Sequence, residues 1–222
     1  MKNVLITGIG RGIGQALAKK FLDEGYFVLG TTRDGKIDFK NGNLSVHQLE
    51  LTSKASIVRC ADEILGSKKS IDILINNAGG LFDEEETTVI PDKLRETLEV
   101  NLISPIDLTE RILSAVNQGG HIVNISSTAG SLSLVGNESH MEGHYPAYKI
   151  SKVAVNMYTR TLALRFKDKI TVSSVHPGWV KTEMGGENAT ETPEQAAESI
   201  FKLAISKPES GQFWFNGEKS PW

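Results

Sequence analysis

Three side chains in the second half of the sequence have the types and spacing to perform acid–base chemistry on a carbonyl group. Tyr148 and Lys152 are four residues apart, so on a helix they share one face. A lysine cation beside a tyrosine stabilises tyrosinate and lowers the phenol pKa from about 10. The phenol then exchanges protons more readily near neutral pH. Ser127 follows a short apolar run and can donate a hydrogen bond to a carbonyl oxygen that gains negative charge.

A second pair has the same spacing, because Tyr145 and Lys149 are also four residues apart. An isolated pair of this kind is more often an ordinary feature of a helix surface than a site. Pro146 is typical of the first turn of a helix and places Tyr145 before it. This position favours Tyr148 and Lys152 and leaves Tyr145 and Lys149 as the alternative pair.

A glycine-rich turn lies between the first predicted strand and the first predicted helix. Residues 7–14 read Thr-Gly-Ile-Gly-Arg-Gly-Ile-Gly. Gly8 and Gly12 allow the backbone to approach a diphosphate, and Gly14 allows the helix to pack closely on the strand. An ordinary glycine-rich turn is the alternative, and the lack of a following Gly-Lys-Ser/Thr disfavours a P-loop. The predicted dinucleotide contacts in this turn are Gly8, Gly10, Arg11, Gly12 and Ile13.

Short apolar runs alternate with helical patterns along the whole chain. The pattern predicts strands at residues 4–6, 27–29, 44–49, 71–75, 121–125, 170–175 and 213–215. It predicts helices at residues 14–24, 53–65, 92–116, 147–166 and 193–206. The strands lack period-two alternation, which is typical of strands buried on both faces. We predict a single α/β domain over residues 1–222, with a doubly wound parallel sheet and helices on both faces.

Composition narrows the classes of partner. The 222 residues carry a net charge of −3, which offers little to a nucleic acid or an anionic membrane, so neither is expected as a partner. No apolar run approaches the roughly 18 residues of a membrane span, and the first residues lack a secretory pattern. The single cysteine, Cys60, is expected as a small core residue and favours a cytoplasmic protein.

Five motifs in a fixed order resemble those of the short-chain dehydrogenase/reductase family. They are Asn76-Asn77-Ala78-Gly79, Asn101 in a helix, Ser127, Tyr148-Lys149-Ile150-Ser151-Lys152 and Pro177-Gly178-Trp179-Val180-Lys181-Thr182. The resemblance covers nearly the whole chain. It implies a Rossmann-like fold and hydride transfer between a nicotinamide cofactor and a carbonyl or alcohol substrate. The alternative is a signalling or regulatory protein that binds the dinucleotide with little turnover.

The resemblance also implies roles for individual residues. The run Ser151-Lys152-Val153-Ala154-Val155-Asn156 continues the family pattern, so the resemblance selects Tyr148 rather than Tyr145. Tyr148 would be the general acid/base and Ser127 would polarise the carbonyl. Lys152 would tune the tyrosine and hold the nicotinamide ribose, and Asn101 would support a water-linked proton path to Lys152. Besides Tyr148, Lys152 and the glycine turn, the implied cofactor contacts are Asn77, Ala78, Gly79, Pro177, Gly178, Val180 and Thr182.

The end of the second strand favours NADP(H) over NAD(H). An acidic residue there would bind the ribose 2′-hydroxyl, but this strand ends Gly30-Thr31-Thr32-Arg33. Arg33 can pair with a 2′-phosphate, with Arg11 as a second cation and the hydroxyls of Thr31 and Thr32 in support. Asp34 comes later than the usual acidic position. Glu50 replaces the aspartate that the family often has near the adenine, and no contact is predicted for it.

Two loops are relevant to how the substrate binds, and two long helices are relevant to whether the protein forms a dimer. Residues 131–144 lengthen the segment before Tyr148, and with the chain's last residues they resemble the C-factor and sniffer-type carbonyl reductase branch. Glu138, His140, Glu142 and His144 alternate there, yet a solvated loop or lid is favoured and no metal is predicted. The short segment 179–192, with Gly185 and Gly186, predicts a mobile lid over an open site. The long helices at 92–116 and 147–166 could carry a homodimer interface, although no decisive apolar stripe is visible.

Overall fold

One eight-stranded sheet organises the protein. The computed structural model describes residues 1–137 and 143–222, and its strand order is β3-β2-β1-β4-β5-β6-β7-β8. Neighbouring strands are parallel, except that β8 runs antiparallel to β7. The strands are β1 (Asn3–Ile6), β2 (Phe27–Thr32), β3 (Leu44–Gln48), β4 (Ile71–Asn76), β5 (Val116–Ile125), β6 (Thr171–Val175), β7 (Gln212–Phe215) and β8 (Glu218–Lys219).

Within the described residues, six α-helices connect and cover these strands. They are α1 (Gly12–Asp23), α2 (Lys54–Gly66), α3 (Pro91–Leu98), α4 (Ser104–Ile112), α5 (Pro146–Arg165) and α6 (Pro193–Ile205). The start of α6 is set by a capping box, in which Thr192 accepts from the Gln195 amide and Gln195 accepts from the Thr192 amide. The order of strands and helices confirms the predicted doubly wound, Rossmann-like α/β domain.

The core consists of two hydrophobic layers, one on each face of the sheet. Val4 and Ile6 of β1 pack with residues of α1 and α6, whereas Leu5 packs with residues of α2, α4 and α5. Successive side chains of the same strand therefore enter opposite layers, and both are fully buried. This explains the absence of polar alternation in the sequence. Cys60 lies in the second layer, as predicted for a core residue.

The helix predicted over residues 92–116 is wrong in its continuity. Helix α3 ends at Leu98, a π-helical segment covers Glu99–Ile103, and α4 begins at Ser104. A short 3₁₀ turn follows, and Val116 already belongs to β5. The π-helical segment places Asn101 inward, and single π turns of this kind often occur at functional sites.

The carboxyl ends of β1, β4 and β5 lead into the segments that carry the candidate site. In such folds ligands bind beyond the carboxyl ends of the strands, at the point where the strand order changes direction. In this sheet that point lies between β1 and β4. Among the described residues, no helix has both the length and the hydropathy to span a membrane.

Candidate active site

The glycine turn is tied to the end of β4 by side-chain hydrogen bonds. The Thr7 hydroxyl accepts from the backbone amides of Asn77 and Ala78, both at 3.0 Å. The Asn77 side-chain amide donates to the carbonyl oxygens of Thr7 at 2.9 Å and Gly8 at 3.1 Å. Asn77 thus binds the turn itself, and it holds Ala78 and the predicted phosphate loop in a fixed relation.

Two glycines of the turn are required by close packing. A Cβ on Gly14 would overlap the Gly8 carbonyl oxygen and lie 2.5 Å from the Asn77 side-chain nitrogen. Gly14 therefore allows the close packing of helix α1 that was predicted, although its contacts are with the turn and Asn77 rather than with the strand β1. Gly8 has a φ of 74°, which glycine adopts without strain, and its Cβ would meet Ala78 at 3.0 Å.

At the end of β2, Thr31 is buried whereas Arg33 is exposed. The Thr31 hydroxyl accepts from the Gly8 amide at 3.1 Å and is buried, so it stabilises the turn, and its support of a phosphate stays a prediction. The Thr32 hydroxyl faces Asp34 at 3.5 Å. Arg33 is exposed over 81% of its side chain and forms an ion pair with Glu50.

Glu50 is a residue that the sequence reasoning set aside. Partial burial acts to raise the pKa of its carboxyl, but hydrogen bonds from Arg33 and from both the amide and hydroxyl of Thr52 hold the pKa below its usual value. Within the glycine turn, Arg11 pairs with Glu183. Both predicted phosphate-binding cations are therefore exposed and engaged with carboxylates.

Helix α5 places Tyr148 and Lys152 on one face, beside Ser127. The Lys152 ammonium lies 5.4 Å from the centre of the Tyr148 ring and donates to the Ile125 carbonyl oxygen at 3.0 Å. Ser127 caps a 3₁₀ turn through a bond from the Ala129 amide, and its hydroxyl hydrogen-bonds with Tyr148. The structure thus brings together the three residues that the sequence selected.

The alternative pair is arranged differently. Tyr145 precedes α5 in a left-handed conformation, and the Lys149 ammonium lies 5.1 Å from the centre of its ring. Tyr145 contacts Tyr148 edge-on, with ring centres 6.1 Å apart. The prediction that Tyr145 lies before the helix is confirmed.

Burial dominates the acid–base properties of the pair. It raises the pKa of Tyr148 to about 12, with the Ser127 hydrogen bond acting in the lowering direction. Burial also lowers the pKa of Lys152 from 10.5 to about 8. The predicted lowering of the tyrosine pKa is therefore wrong for this arrangement, because desolvation outweighs the other influences and the ammonium is bonded to a backbone carbonyl.

Asn101 fixes three segments around Lys152. Its side-chain oxygen accepts from the Gly80 amide at 2.7 Å, and its nitrogen donates to the Gly80 carbonyl at 2.9 Å and to Ser151 at 3.1 Å. Ser151 in turn donates to the Tyr148 carbonyl oxygen at 2.7 Å. Gly79 is adjacent, since a Cβ there would lie 3.0 Å from Asn101 and 4.0 Å from the Lys152 ammonium.

A small cavity lies between helix α5, the π-helical segment and the ends of β4 and β5. It measures about 20 Å³, enough for one water molecule. Its polar walls are Asn76, Asn101, Asn124, Lys152 and Tyr158. The Asn76 side-chain amide donates to the Asn124 side-chain oxygen at 2.8 Å. Asn76 was noted only as the first residue of the Asn76-Asn77-Ala78-Gly79 motif, and neither asparagine was predicted as a site residue. Both asparagines lie near the ends of neighbouring buried strands. The apolar pattern that predicts these strands does not predict polar side chains at such positions.

The segment that follows β6 is held by many internal bonds. Thr182 accepts from the Gly185 amide at 3.1 Å, and the Trp179 ring nitrogen donates to the Gly185 carbonyl at 2.8 Å. Val180 bridges to Glu191. A Cβ on Gly185 would overlap the Val180 carbonyl, so close packing explains this glycine better than the predicted mobility. Thr182 also lies next to Gly12, whose Cβ would be 3.2 Å from its methyl group.

The described residues contain no group of three or more His, Cys, Asp and Glu side chains that could hold a metal. Glu138, His140 and Glu142 of the alternating loop lie outside the described residues.

Comparison with known proteins decides the family. The sequence model of the short chain dehydrogenase family matches residues 2–193. The chain belongs to the short chain dehydrogenase family. Carbonyl reductase (NADPH) 1 of Mus musculus is 29% identical to this short chain dehydrogenase, covering 98% of the chain and 97% of the relative. That alignment extends over 271 positions, so the relative carries insertions that this chain of 222 residues lacks.

Solved structures agree with this dehydrogenase over its full length. The NADPH-bound carbonyl reductase from chicken fatty liver has a TM-score of 0.87 and 28% identity, covering 100% of this chain and 99% of that one. The carbonyl reductase Sniffer of D. melanogaster has a TM-score of 0.86 and 27% identity, with both chains fully covered. The predicted resemblance to the sniffer-type branch is thereby confirmed.

Proposed function

We propose that the protein is an NADP(H)-dependent carbonyl reductase, which transfers a hydride between the nicotinamide cofactor and a carbonyl/alcohol pair. The observation that carries the proposal is the grouping of Ser127, Tyr148 and Lys152. The segment after β4 connects this group to the glycine turn, because Gly79 lies near the Lys152 ammonium and Ala78 packs against Gly8. Membership of the short chain dehydrogenase family supports it, as do relatives whose names specify NADPH and carbonyl reduction. Dinucleotide binding and catalysis would both reside in the single domain of residues 1–222.

The chain's own residues suit a dinucleotide with a 2′-phosphate. The turn offers backbone amides at the start of α1. Exposed cations are offered by Arg11 within the turn and by Arg33 after the end of β2. Gly10, Gly12 and Ile13 complete the turn, and Ala78, Gly79, Pro177, Gly178, Val180 and Thr182 form the remaining predicted contacts. When bound, the cofactor supplies or accepts the hydride. NAD(H) is the less favoured alternative, because no acidic residue ends β2 ahead of Arg33.

In the reductive direction Tyr148 donates its proton to the carbonyl oxygen as negative charge develops there. Ser127 donates a hydrogen bond to the same oxygen, and both groups are fixed before the reaction. The Lys152 ammonium stabilises the tyrosinate left behind. A water in the cavity beside Asn101 and Lys152 would return a proton to this pair, in agreement with the relay that the family resemblance implies.

The substrate is a small molecule, and we propose that small or varied carbonyl compounds are accepted. Support comes from the short 179–192 segment and from Trp179, whose side chain is half exposed. The test is NADPH and NADH oxidation with a panel of aldehydes, ketones, diketones and quinones. Turnover with several small compounds supports the proposal. Activity on one bulky compound alone contradicts the open site, and tight NADPH binding without any turnover favours the regulatory alternative.

A homodimer through helix α5 is a further proposal. Ile150, Met157 and Leu164 recur every seven residues and are exposed, Met157 over 64% and Leu164 over 77%. The sequence showed no decisive stripe, because the buried face of α5 mixes apolar residues with polar ones such as Lys152, Asn156 and Thr159. Sedimentation of the wild type and Met157→Glu would distinguish dimer from monomer.

A cytoplasmic location also stays a prediction, supported by the use of Cys60 as a core side chain.

A further inference from the structure

The amino end of α5, which carries Tyr148, has no cap from its own neighbourhood. Tyr145 is the residue before the helix, and it adopts a left-handed conformation without a side-chain cap. Pro146 has no amide hydrogen, so the first amide of the helix is that of Ala147. Without a partner this buried amide would be costly.

The missing cap comes from Asp83, 64 residues earlier in the chain. One carboxylate oxygen of Asp83 accepts from the Ala147 amide at 2.6 Å. Only 1% of Asp83 is exposed, and its second oxygen accepts no hydrogen bond within residues 1–137 and 143–222. A buried carboxylate at this position also interacts favourably with the positive end of the helix dipole.

A short turn around Asp83 adds a second contact with the same helix end. The Asp83 carbonyl accepts from the Glu86 amide at 3.0 Å, and the Glu86 carbonyl accepts from the Tyr145 amide at 2.9 Å. The Glu86 carboxylate pairs with Lys93 of α3 at 2.5 Å. Two consecutive amide donors at the start of α5 are therefore held by residues 83–86, which are themselves anchored to α3.

The two hydrogen bonds from residues 83–86 reach the chain immediately before the proposed acid, Tyr148. Ala147 directly precedes Tyr148, so the bond to Asp83 fixes the backbone one residue from the proposed acid. Residues 128–144 separate Ser127 from this helix, and a segment of that length does not by itself define where the helix begins. A displacement of about 1 Å in a reacting group can reduce turnover about a hundredfold.

We propose that Asp83 is a positioning residue for the reaction, which caps the catalytic helix from the β4–α3 loop and sets Tyr148 against Ser127 and Lys152. The inference rests on the proposed role of Tyr148. It assigns no contact between Asp83 and substrate or cofactor. Replacement of Asp83 should therefore change kcat and leave NADPH binding intact.

The experiment compares Asp83→Ala and Asp83→Asn with the wild type in kcat, substrate KM, NADPH affinity by fluorescence, and Tm. Asp83→Ala should lower kcat at least about tenfold while the NADPH Kd changes less than about twofold. Asp83→Asn keeps an oxygen acceptor for the Ala147 amide and should retain kcat within about threefold. Equal loss in both variants, or wild-type kcat in Asp83→Ala, overturns the proposal.

Two controls separate positioning from stability and from the assignment of Tyr148. Ser53→Ala removes the side-chain cap of α2; it should lower Tm and leave kcat within about twofold of the wild type. If Asp83→Ala does not fold, Asp83→Glu moves the carboxylate by one methylene; reduced kcat with normal NADPH binding supports the proposal, and wild-type kcat overturns it. Tyr148→Phe is measured alongside. If Tyr148→Phe stays active, the proposed role of Tyr148 fails. If Tyr148→Phe is inactive and Asp83→Ala keeps wild-type kcat, only the positioning role of Asp83 is refuted.

Discussion

Asn101 donates a hydrogen bond of 3.1 Å to Ser151, the residue directly before Lys152. The same side chain bonds both backbone polar atoms of Gly80, beyond the end of β4. One buried amide thus joins the π-helical segment, the β4 exit and helix α5. The relation explains why the long predicted helix is interrupted at Asn101: the π turn directs its side chain towards these partners.

Replacing Asn101 with Ala should cost both stability and activity. The change leaves the Gly80 amide and carbonyl and the Ser151 hydroxyl without this partner, so the free energy of unfolding should fall by about 2–3 kcal/mol. Loosening of the Lys152 surroundings should lower kcat at least about tenfold. Urea unfolding and steady-state kinetics measure the two effects.

The matched control for that variant is Asn117→Ala. Asn117 donates to Ser70 at 3.2 Å and Asp72 at 2.8 Å near the start of β5, away from α5. This change should cost less than about 1 kcal/mol and leave kcat unchanged. Equal effects from both variants would contradict the special role of Asn101.

Local patterns predict the strands and most helices of this fold, because apolar runs, caps and glycine turns are local in sequence. Thr192 and Gln195, for example, form the expected capping box at α6. The π turn at Asn101 and the cap supplied by Asp83 could not be read in this way. Each depends on a partner far away in sequence, Ser151 in one case and Ala147 in the other.

Residue identity also locates Ser127, Tyr148 and Lys152, but it does not reveal their environment. The sequence predicts a lowered tyrosine pKa from the neighbouring cation, whereas burial raises the pKa of Tyr148 to about 12. Desolvation depends on the packing of α5 against the sheet, which spacing does not report. The pairing of Arg33 with Glu50 is likewise a tertiary contact between the ends of two strands.

Arg33→Ala should shift the cofactor preference. Loss of a charge-assisted contact to the 2′-phosphate should raise the KM for NADPH about 10–100-fold and leave the KM for NADH within about threefold. Initial rates with each cofactor measure the ratio. Lys36→Ala removes an exposed cation from the next turn and should change neither value. Parallel changes with both cofactors in Arg33→Ala would contradict recognition of the phosphate.

Reductase activity should fall as pH rises through about 8. Burial lowers the pKa of Lys152 to about 8, so the ammonium loses its proton above that pH, whereas Tyr148, with a pKa of about 12, keeps its own. The first falling limb of the kcat profile therefore belongs to Lys152. In Lys152→Arg the charge persists to high pH and the limb near pH 8 should vanish, whatever the residual rate. A limb that persists in this variant would refute the assignment.

Two helical glycines should respond to alanine in opposite ways. Gly14→Ala forces a Cβ against the Gly8 carbonyl and Asn77, so it should destabilise the protein by about 1–3 kcal/mol and weaken NADPH binding. Gly66, at the end of α2, has nothing within 4 Å of its added Cβ. Gly66→Ala should stabilise by about 0.5–1 kcal/mol with unchanged binding. Thermal unfolding and fluorescence titration test the pair, and similar effects at both sites would contradict the close packing of Gly14.

The most direct test of the central claim is NADPH oxidation by Tyr148→Phe with a carbonyl compound that the wild type reduces. The variant lacks the proton that Tyr148 donates, yet keeps the ring in its packing against Tyr145. The account predicts a loss of about a thousandfold in kcat with NADPH binding intact. Turnover within about tenfold of the wild type would contradict Tyr148 as the general acid/base.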